Sequence, residues 1–205
     1  MTKDLEPSDL QLVQSFVSGD NVSFDRLVGR HGRAVYSFIY RFLGTDPHVD
    51  DVYQDVWLRV FKSLARFGGR SRFTTWLFQV TRNICIDHLR RRKRRGRMMS
   101  IDDTSGRNEE GGPFKDQIPG REVDAEKLAE NRELWQHVER AIAELPENQR
   151  EVFLLREQTA LTFEEISEMS GVPRNTVKSR MRYALENIRG YMKRRNILKE
   201  VMTHG

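Results

Sequence analysis

The sequence predicts an all-α protein. Two small helical domains are joined by a flexible linker, and the C-terminal one is a helix-turn-helix domain. Three observations lead there. Apolar residues recur at helical spacing in almost every patterned segment, and no stretch alternates convincingly at the period of a strand. Between two such regions lie Gly106, Gly111, Gly112, Pro113, Pro119 and Gly120 among scattered charges, a composition too poor in apolar surface to order itself alone. Near the C-terminus, LTFEEISEMSGVPRNTVKSRMRYALENIR reads as two helices about a sharp turn. The expected boundaries are a helical domain at 8–95, an acidic flexible linker at 96–123 and a second helical domain at 124–192.

In the first domain, Phe16, Phe24, Leu27, Val28, Val35, Phe38, Ile39, Phe42 and Leu43 form apolar stripes. The next segment is clearer. Val49, Val52, Tyr53, Val56, Trp57, Val60, Phe61 and Leu64 follow i, i+3, i+4 spacing and define one buried face. The opposite face presents Asp50, Asp51, Gln54, Asp55 and Leu58. Asp50 and Asp51 suit the positive end of a helix dipole. Leu58 among these acids is either incidental or an apolar anchor within an acidic patch that meets a basic partner.

GGRSRFTTWLFQVTRNICIDHLRRRKRR follows. Gly68 and Gly69 interrupt the chain, and a helix is expected from about Thr74 to Arg94, with Leu77, Val80, Ile84 and Cys85 toward the core. Arg70, Arg72, Phe73 and Trp76 mix cations with aromatics. Rings stack on unpaired bases and cations track phosphates, so this mixture suits single-stranded nucleic acid, although either ring can equally be a core residue. Arg82, Asn83, Asp87, Arg90 and Arg91 recur along the same helix, and Asn83 and Asp87 are close enough for a local polar contact.

In the second domain, Thr162 and Glu165 make a capping-box pattern ahead of Phe163, Ile166 and Met169. Gly171 supplies a left-handed stop, and Pro173 discourages the residue before it from staying helical. The second helix starts near Arg174. Its inner face is Val177, Met181, Ala184 or Leu185, and Ile188. Arg174, Asn175, Lys178, Ser179 and Arg182 project elsewhere from its N-terminal half. A basic helix of this kind fits the major groove of DNA, where arginine suits guanine, asparagine suits adenine, and lysine and serine can hold phosphates. An ordinary helical hairpin with a solvated basic face is the bland alternative.

The 205 residues suit one or two domains, and the net charge of +5 is unevenly placed. Arg90–Arg97 holds seven bases and no acid, Met98–Asn131 nine acids against four bases, and Arg174–Arg195 eight bases against one acid. Two basic zones about an acidic connector point to two nucleic-acid contacts. Cys85 is the one cysteine, so no intramolecular disulfide or cysteine-based zinc site is expected. No apolar run is long enough to span a membrane and no signal peptide is apparent, so the expected location is cytoplasmic.

Three motifs, DDVYQDVWLRVFKSLARF, FTTWLFQVTRNICIDHLRR, and ELPENQREVFLLRE followed by the helix-turn-helix, together resemble the bacterial RNA polymerase sigma factors of the extracytoplasmic-function group. The resemblance covers roughly 8–192. It implies a subunit that binds core polymerase and directs promoter-specific initiation, with no enzymatic activity and no cofactor of its own. It implies docking of Asp51, Gln54, Asp55 and Leu58 on the beta-prime clamp helices, with the beta subunit also a partner. Arg70, Arg72, Phe73, Trp76, Arg82, Asn83, Arg90 and Arg91 are implied to bind the minus-ten element. Arg174, Asn175, Lys178, Ser179 and Arg182 are implied to bind the minus-thirty-five element. The acidic linker would thread the polymerase channel near the RNA path, and an anti-sigma factor would hold the protein inactive. The basic run Arg90–Arg97 is longer than the family pattern needs, and the linker is glycine-rich.

Two other readings follow from the same residues. A stand-alone helix-turn-helix regulator would bind duplex DNA without polymerase, leaving the DDVYQDVWL face without a purpose. A nuclease would need Asp46, Asp50, Asp51 and Asp55 to hold Mg²⁺, but exposed acids on one helix are usually just solvated. His31, His48, His88, His137 and His204 lack ligand spacing.

Overall fold

In the computed structural model, the described residues are 6–99 and 125–197, and every regular element among them is helical. The predicted linker lies outside the described residues from 100 onward; its first positions, 96–99, continue a helix. The chain divides into two compact units.

The first unit contains α1 (Asp9–Val17), α2 (Val22–Leu43), α3 (Val49–Ser63), a 3₁₀ turn (Leu64–Arg66) and α4 (Phe73–Met99). α1 starts at a capping box. Ser8 Oγ accepts from the Gln11 N–H at 3.3 Å, and Gln11 Oε1 accepts from the Ser8 N–H at 2.8 Å. α2 packs against α1, α3 and α4. Its inner face supplies Leu27, Val35, Phe38, Ile39 and Phe42, which are buried along with Val52, Val56, Val60 and Leu64 of α3 and its 3₁₀ turn, and Leu77, Phe78 and Cys85 of α4. Burying one such side chain contributes about 1.5–3 kcal/mol. Phe38 stacks on Phe42 at 5.5 Å and meets Phe78 edge-on at 5.6 Å. α2 and α3 approach closely at Gly32, where a Cβ would lie 2.7 Å from Tyr53 Oη, so hydrogen is the only side chain that fits without moving that ring.

Most of the expected inner positions hold, with one correction. Phe61 was expected on the buried face of α3 and is 47% exposed. It lies at the edge of the apolar arc, about 120° round the helix from Val49. α4 also begins one residue earlier and runs five residues further than the periodicity suggested.

The second unit contains α5 (Ala125–Ala143), α7 (Phe163–Ser170), α8 (Arg174–Arg194) and the Glu147–Arg156 part of α6 (Glu147–Thr159). α8 packs on both α5 and α7. Ala141, Tyr191, Met192 and Ile197 form one cluster, flanked by Leu134, Val138 and Ile188. Arg150 closes the C-terminal end of α5 by donating to the carbonyls of Ala143 and Leu145. Asn187 donates to Gln149 at 2.8 Å and ties α8 to α6. Among the described residues, no helix is long and apolar enough to cross a membrane.

Candidate polymerase and promoter interfaces

Helix α3 builds the first surface. Its inner arc is Val49, Val52, Val56, Trp57 and Val60, so the far side of the helix is centred on Leu58. Leu58 is 55% exposed. Gln54 and Phe61 flank it on one side, Asp51 and Asp55 on the other, and all four are exposed. Phe61 is held from beneath by Phe16 at 5.2 Å and Phe24 at 5.1 Å. It therefore adds a rigid aromatic neighbour to Leu58 that the sequence pattern had placed inside. Asp51 lies 3.2 Å from His48 Nδ1, and Asp50 accepts from Tyr36 Oη at 3.0 Å. Among the described residues, no three His, Cys, Asp or Glu side chains gather where they could hold a metal ion. Asp46, needed for the nuclease reading, turns away from Asp50, Asp51 and Asp55 to α4, where it accepts from His88 and Arg92.

The second surface is α4 with the loop before it. Arg70 and Arg72 are exposed in that loop, and the Arg72 carbonyl accepts the first helical bond, from the Trp76 N–H at 3.2 Å. Phe73 corrects an expectation. It is only 4% exposed, enclosed by His31 at 5.3 Å, Phe67 at 5.9 Å and Trp76 at 5.9 Å, so its ring offers no face to a base. Trp76 is partly buried, with Phe67 5.2 Å from it. Trp76, Asn83 and Arg90 are spaced seven residues apart and share one stripe of α4. Asp87 joins that stripe and lies 3.8 Å from Arg90. Arg82 borders it and donates to Asn83 Oδ1 at 3.2 Å, and Arg91 is exposed one residue on. Cys85 is fully buried, and burial pushes its thiol far above the ordinary range, so it is a packing residue rather than a reactive one.

The third surface is the helix-turn-helix. Thr162 and Glu165 form the expected capping box, with bonds of 3.2 and 2.8 Å. Gly171 adopts the left-handed conformation at φ 69°, which L side chains resist. Ser167 Oγ donates to the Val172 carbonyl at 2.7 Å and pins the turn. Helix α8 then starts at Arg174, as expected. Val177, Met181 and Ala184 face inward, and the open choice between Ala184 and Leu185 resolves to Ala184, since Leu185 is 46% exposed. Asn175, Ser179 and Arg182 share the side opposite this core, and Arg174 and Lys178 border it. All five are exposed. Tyr183, which the sequence reading passed over, is also exposed there, and the Arg182 guanidinium lies 4.9 Å from its ring centre.

Comparison with known proteins matches the chain to a family. The Sigma-70 region 2 model matches residues 27–95, and the Sigma-70 region 4 model matches residues 141–190. The chain is 33% identical over 181 residues to the ECF RNA polymerase sigma-E factor of Escherichia coli (strain K12), spanning 88% of this chain and 92% of that protein. It is 30% identical over 184 residues to the RNA polymerase sigma-H factor of Pseudomonas aeruginosa, spanning 89% and 93%. Several solved structures share its fold, two complexes among them. One is CnrH in complex with the cytosolic domain of CnrY, with TM-score 0.61, 22% identity, and 91% of this chain and 98% of that one covered. The other is the sigma factor RpoE in complex with the anti-sigma factor NepR from Bartonella quintana, with TM-score 0.64, 20% identity, and 83% and 96% covered. With a region 2 unit preceding a region 4 unit in one short chain, this protein belongs to the extracytoplasmic-function sigma factors of RNA polymerase.

Proposed function

We propose that the two units divide the work of promoter-specific initiation. The first docks on the beta-prime clamp helices of core polymerase through Leu58 and the acidic side chains Asp51 and Asp55, with Gln54 beside them. The observation that carries this reading is a half-exposed leucine centred on the outward acidic face of a helix whose inner face is fully used. An apolar anchor within a charged rim is the pattern of a binding hot spot, with the rim setting encounter rate and orientation.

The stripe of Trp76, Asn83 and Arg90, with Arg70, Arg72, Arg82 and Arg91 around it, takes the minus-ten element as an open strand. Trp76 offers a partial stacking surface, and the arginines follow phosphates. The second unit sets α8 into the major groove of the minus-thirty-five element, where Asn175 and Arg182 read base edges and Lys178 and Ser179 hold the backbone. Polymerase supplies the phosphoryl chemistry. Holding both DNA contacts on one scaffold raises the effective concentration of the second once the first has formed. An anti-sigma factor that covers one or both units is the proposed regulator, a reading supported by the anti-sigma complex of the related RpoE.

The test is transcription in vitro on fragmented genomic DNA of the source bacterium, with core polymerase alone and with this protein added. New start sites preceded by a shared two-part motif are expected. No new starts, together with no binding to core polymerase, would overturn the reading.

A further inference from the structure

Asp46 lies in the turn between α2 and α3, and its side chain is fully buried. A buried carboxylate persists only where its partners replace water. Here the two oxygens meet different elements. Oδ1 accepts from the backbone N–H of His48, the residue that caps the start of α3, at 2.9 Å. Oδ2 accepts from His88 Nε2 at 3.0 Å and from Arg92 Nη1 at 2.9 Å, both on α4. One carboxylate thus joins the start of the docking helix to the helix that carries Trp76, Asn83 and Arg90.

The arrangement constrains α4 more than a single contact would. Residues 88 and 92 are one turn apart, so their donors define one line along the helix. Converging on one oxygen, they fix both the height of α4 and its rotation. Rotation is the sensitive coordinate, because a turn of one residue, about 100°, would carry the outward stripe away from its ligand. Arg92 lies on the inward side of α4, opposite that stripe, although it belongs to the basic run Arg90–Arg97.

We propose that Asp46 is a positioning residue for promoter opening, holding α4 in register with α3 so that polymerase docked on α3 finds the strand-binding stripe in place. This rests on the sigma-factor reading above. Arg92 then serves the link to Asp46 and is not a phosphate contact.

Asp46→Asn separates the two jobs. The amide oxygen can still accept from His48, whereas the amide NH₂ opposes the donors of His88 and Arg92. The full-length chain with core polymerase and a promoter supports two measurements. One is core affinity by fluorescence anisotropy. The other is strand opening at saturating protein, by permanganate reactivity of unpaired thymines. The expected result is unchanged core affinity with opening reduced about ten- to hundredfold, the scale of a small misplacement of a binding group. Arg92→Gln should give the same split, and the double variant should be no worse than the stronger single one. Wild-type opening in Asp46→Asn, parallel loss of core affinity and opening, or additivity of the two substitutions would each overturn the proposal. If Asp46→Asn fails to fold, Arg92→Gln carries the test, since its side chain is 60% exposed and its loss leaves Asp46 bonded to His88 and His48. A wild-type chain that neither binds core polymerase nor opens a promoter would remove the functional reading itself, and the proposal with it.

Discussion

Leu58 and Leu64 lie six residues apart, and the structure assigns them opposite consequences. Leu64 is fully buried within the first unit, whereas Leu58 is 55% exposed at the centre of the acidic face. Complete burial of a leucine side chain is worth about 1.5–3 kcal/mol. Leu58 has roughly half of that still to gain when a partner covers it, so Leu58→Ala should weaken docking by about 1–1.5 kcal/mol, or roughly five- to twelvefold in Kd. Its effect on folding should fall within about 0.5 kcal/mol, as for other surface substitutions. Leu64→Ala should instead cost about 2–5 kcal/mol of stability through the lost contacts and the cavity left behind. The assay is an anisotropy titration of labelled protein with core polymerase, paired with thermal melting followed by circular dichroism. Unchanged core affinity for Leu58→Ala would refute the docking assignment. So would a fall in melting temperature large enough to explain the weaker binding.

Other outcomes follow from single residues. Thr162→Ala removes the cap on the first helix of the helix-turn-helix and should destabilise the second unit by about 1 kcal/mol, read from the melting of the full chain; no change would mean Glu165 holds that end alone. Lys178→Ala should weaken binding at the upstream element uniformly across base sequences and lower the salt slope by about one, read from anisotropy at several ionic strengths. An effect confined to strand opening would contradict that role. Asp46 gives a pH dependence. Burial raises its pKa, but the hydrogen bonds from His48, His88 and Arg92 outweigh burial and hold it below the ordinary carboxylate range. Its contribution is therefore complete above the unfolded value, about pH 4, and is lost as pH falls through the lower folded value. Asp46→Asn should flatten that part of the acid limb in a plot of melting temperature against pH, and an unaltered limb would contradict the assignment.

What could be read from the sequence was mostly local. The capping box at Thr162 and Glu165, the stop at Gly171 and the start of α8 at Arg174 depend on bonds that span a few residues, so short patterns find them. The core of α3 was legible for the same reason, but periodicity locates the centre of an apolar face better than its edge. Phe61 lies at that edge, and whether it points in or out is decided by Phe16 and Phe24 on other helices. Ala184 and Leu185 stand about 100° apart on α8, and only the way α8 sits on its neighbours selects between them. Phe73 followed two arginines, which suited stacking on bases equally well, and it took Phe67 and His31 to enclose it. Asp46 was the least legible of all. Its partners on α4 stand 42 and 46 residues further along the chain, and no sequence period links them.

The arginines of the two basic zones look alike in sequence and differ in how firmly the fold holds them. Arg174 Nε is 3.3 Å from Glu164, and Arg182 Nε is 3.7 Å from Glu186, with all four side chains more than half exposed. Pairs so exposed contribute at most about 1 kcal/mol, so a guanine edge or a phosphate can displace the carboxylate. Until then the pairing, and for Arg182 the Tyr183 ring, restrict the guanidinium, which would lower the entropy lost in the DNA contact proposed for it. Arg92 is the opposite case. Its carboxylate partner is fully buried, so releasing the arginine to a phosphate would leave Asp46 with His48 and His88 alone. Counting bases along Arg90–Arg97 therefore overstates the phosphate contacts that segment can make. At least one of its charges is already paired within the fold, with Asp46.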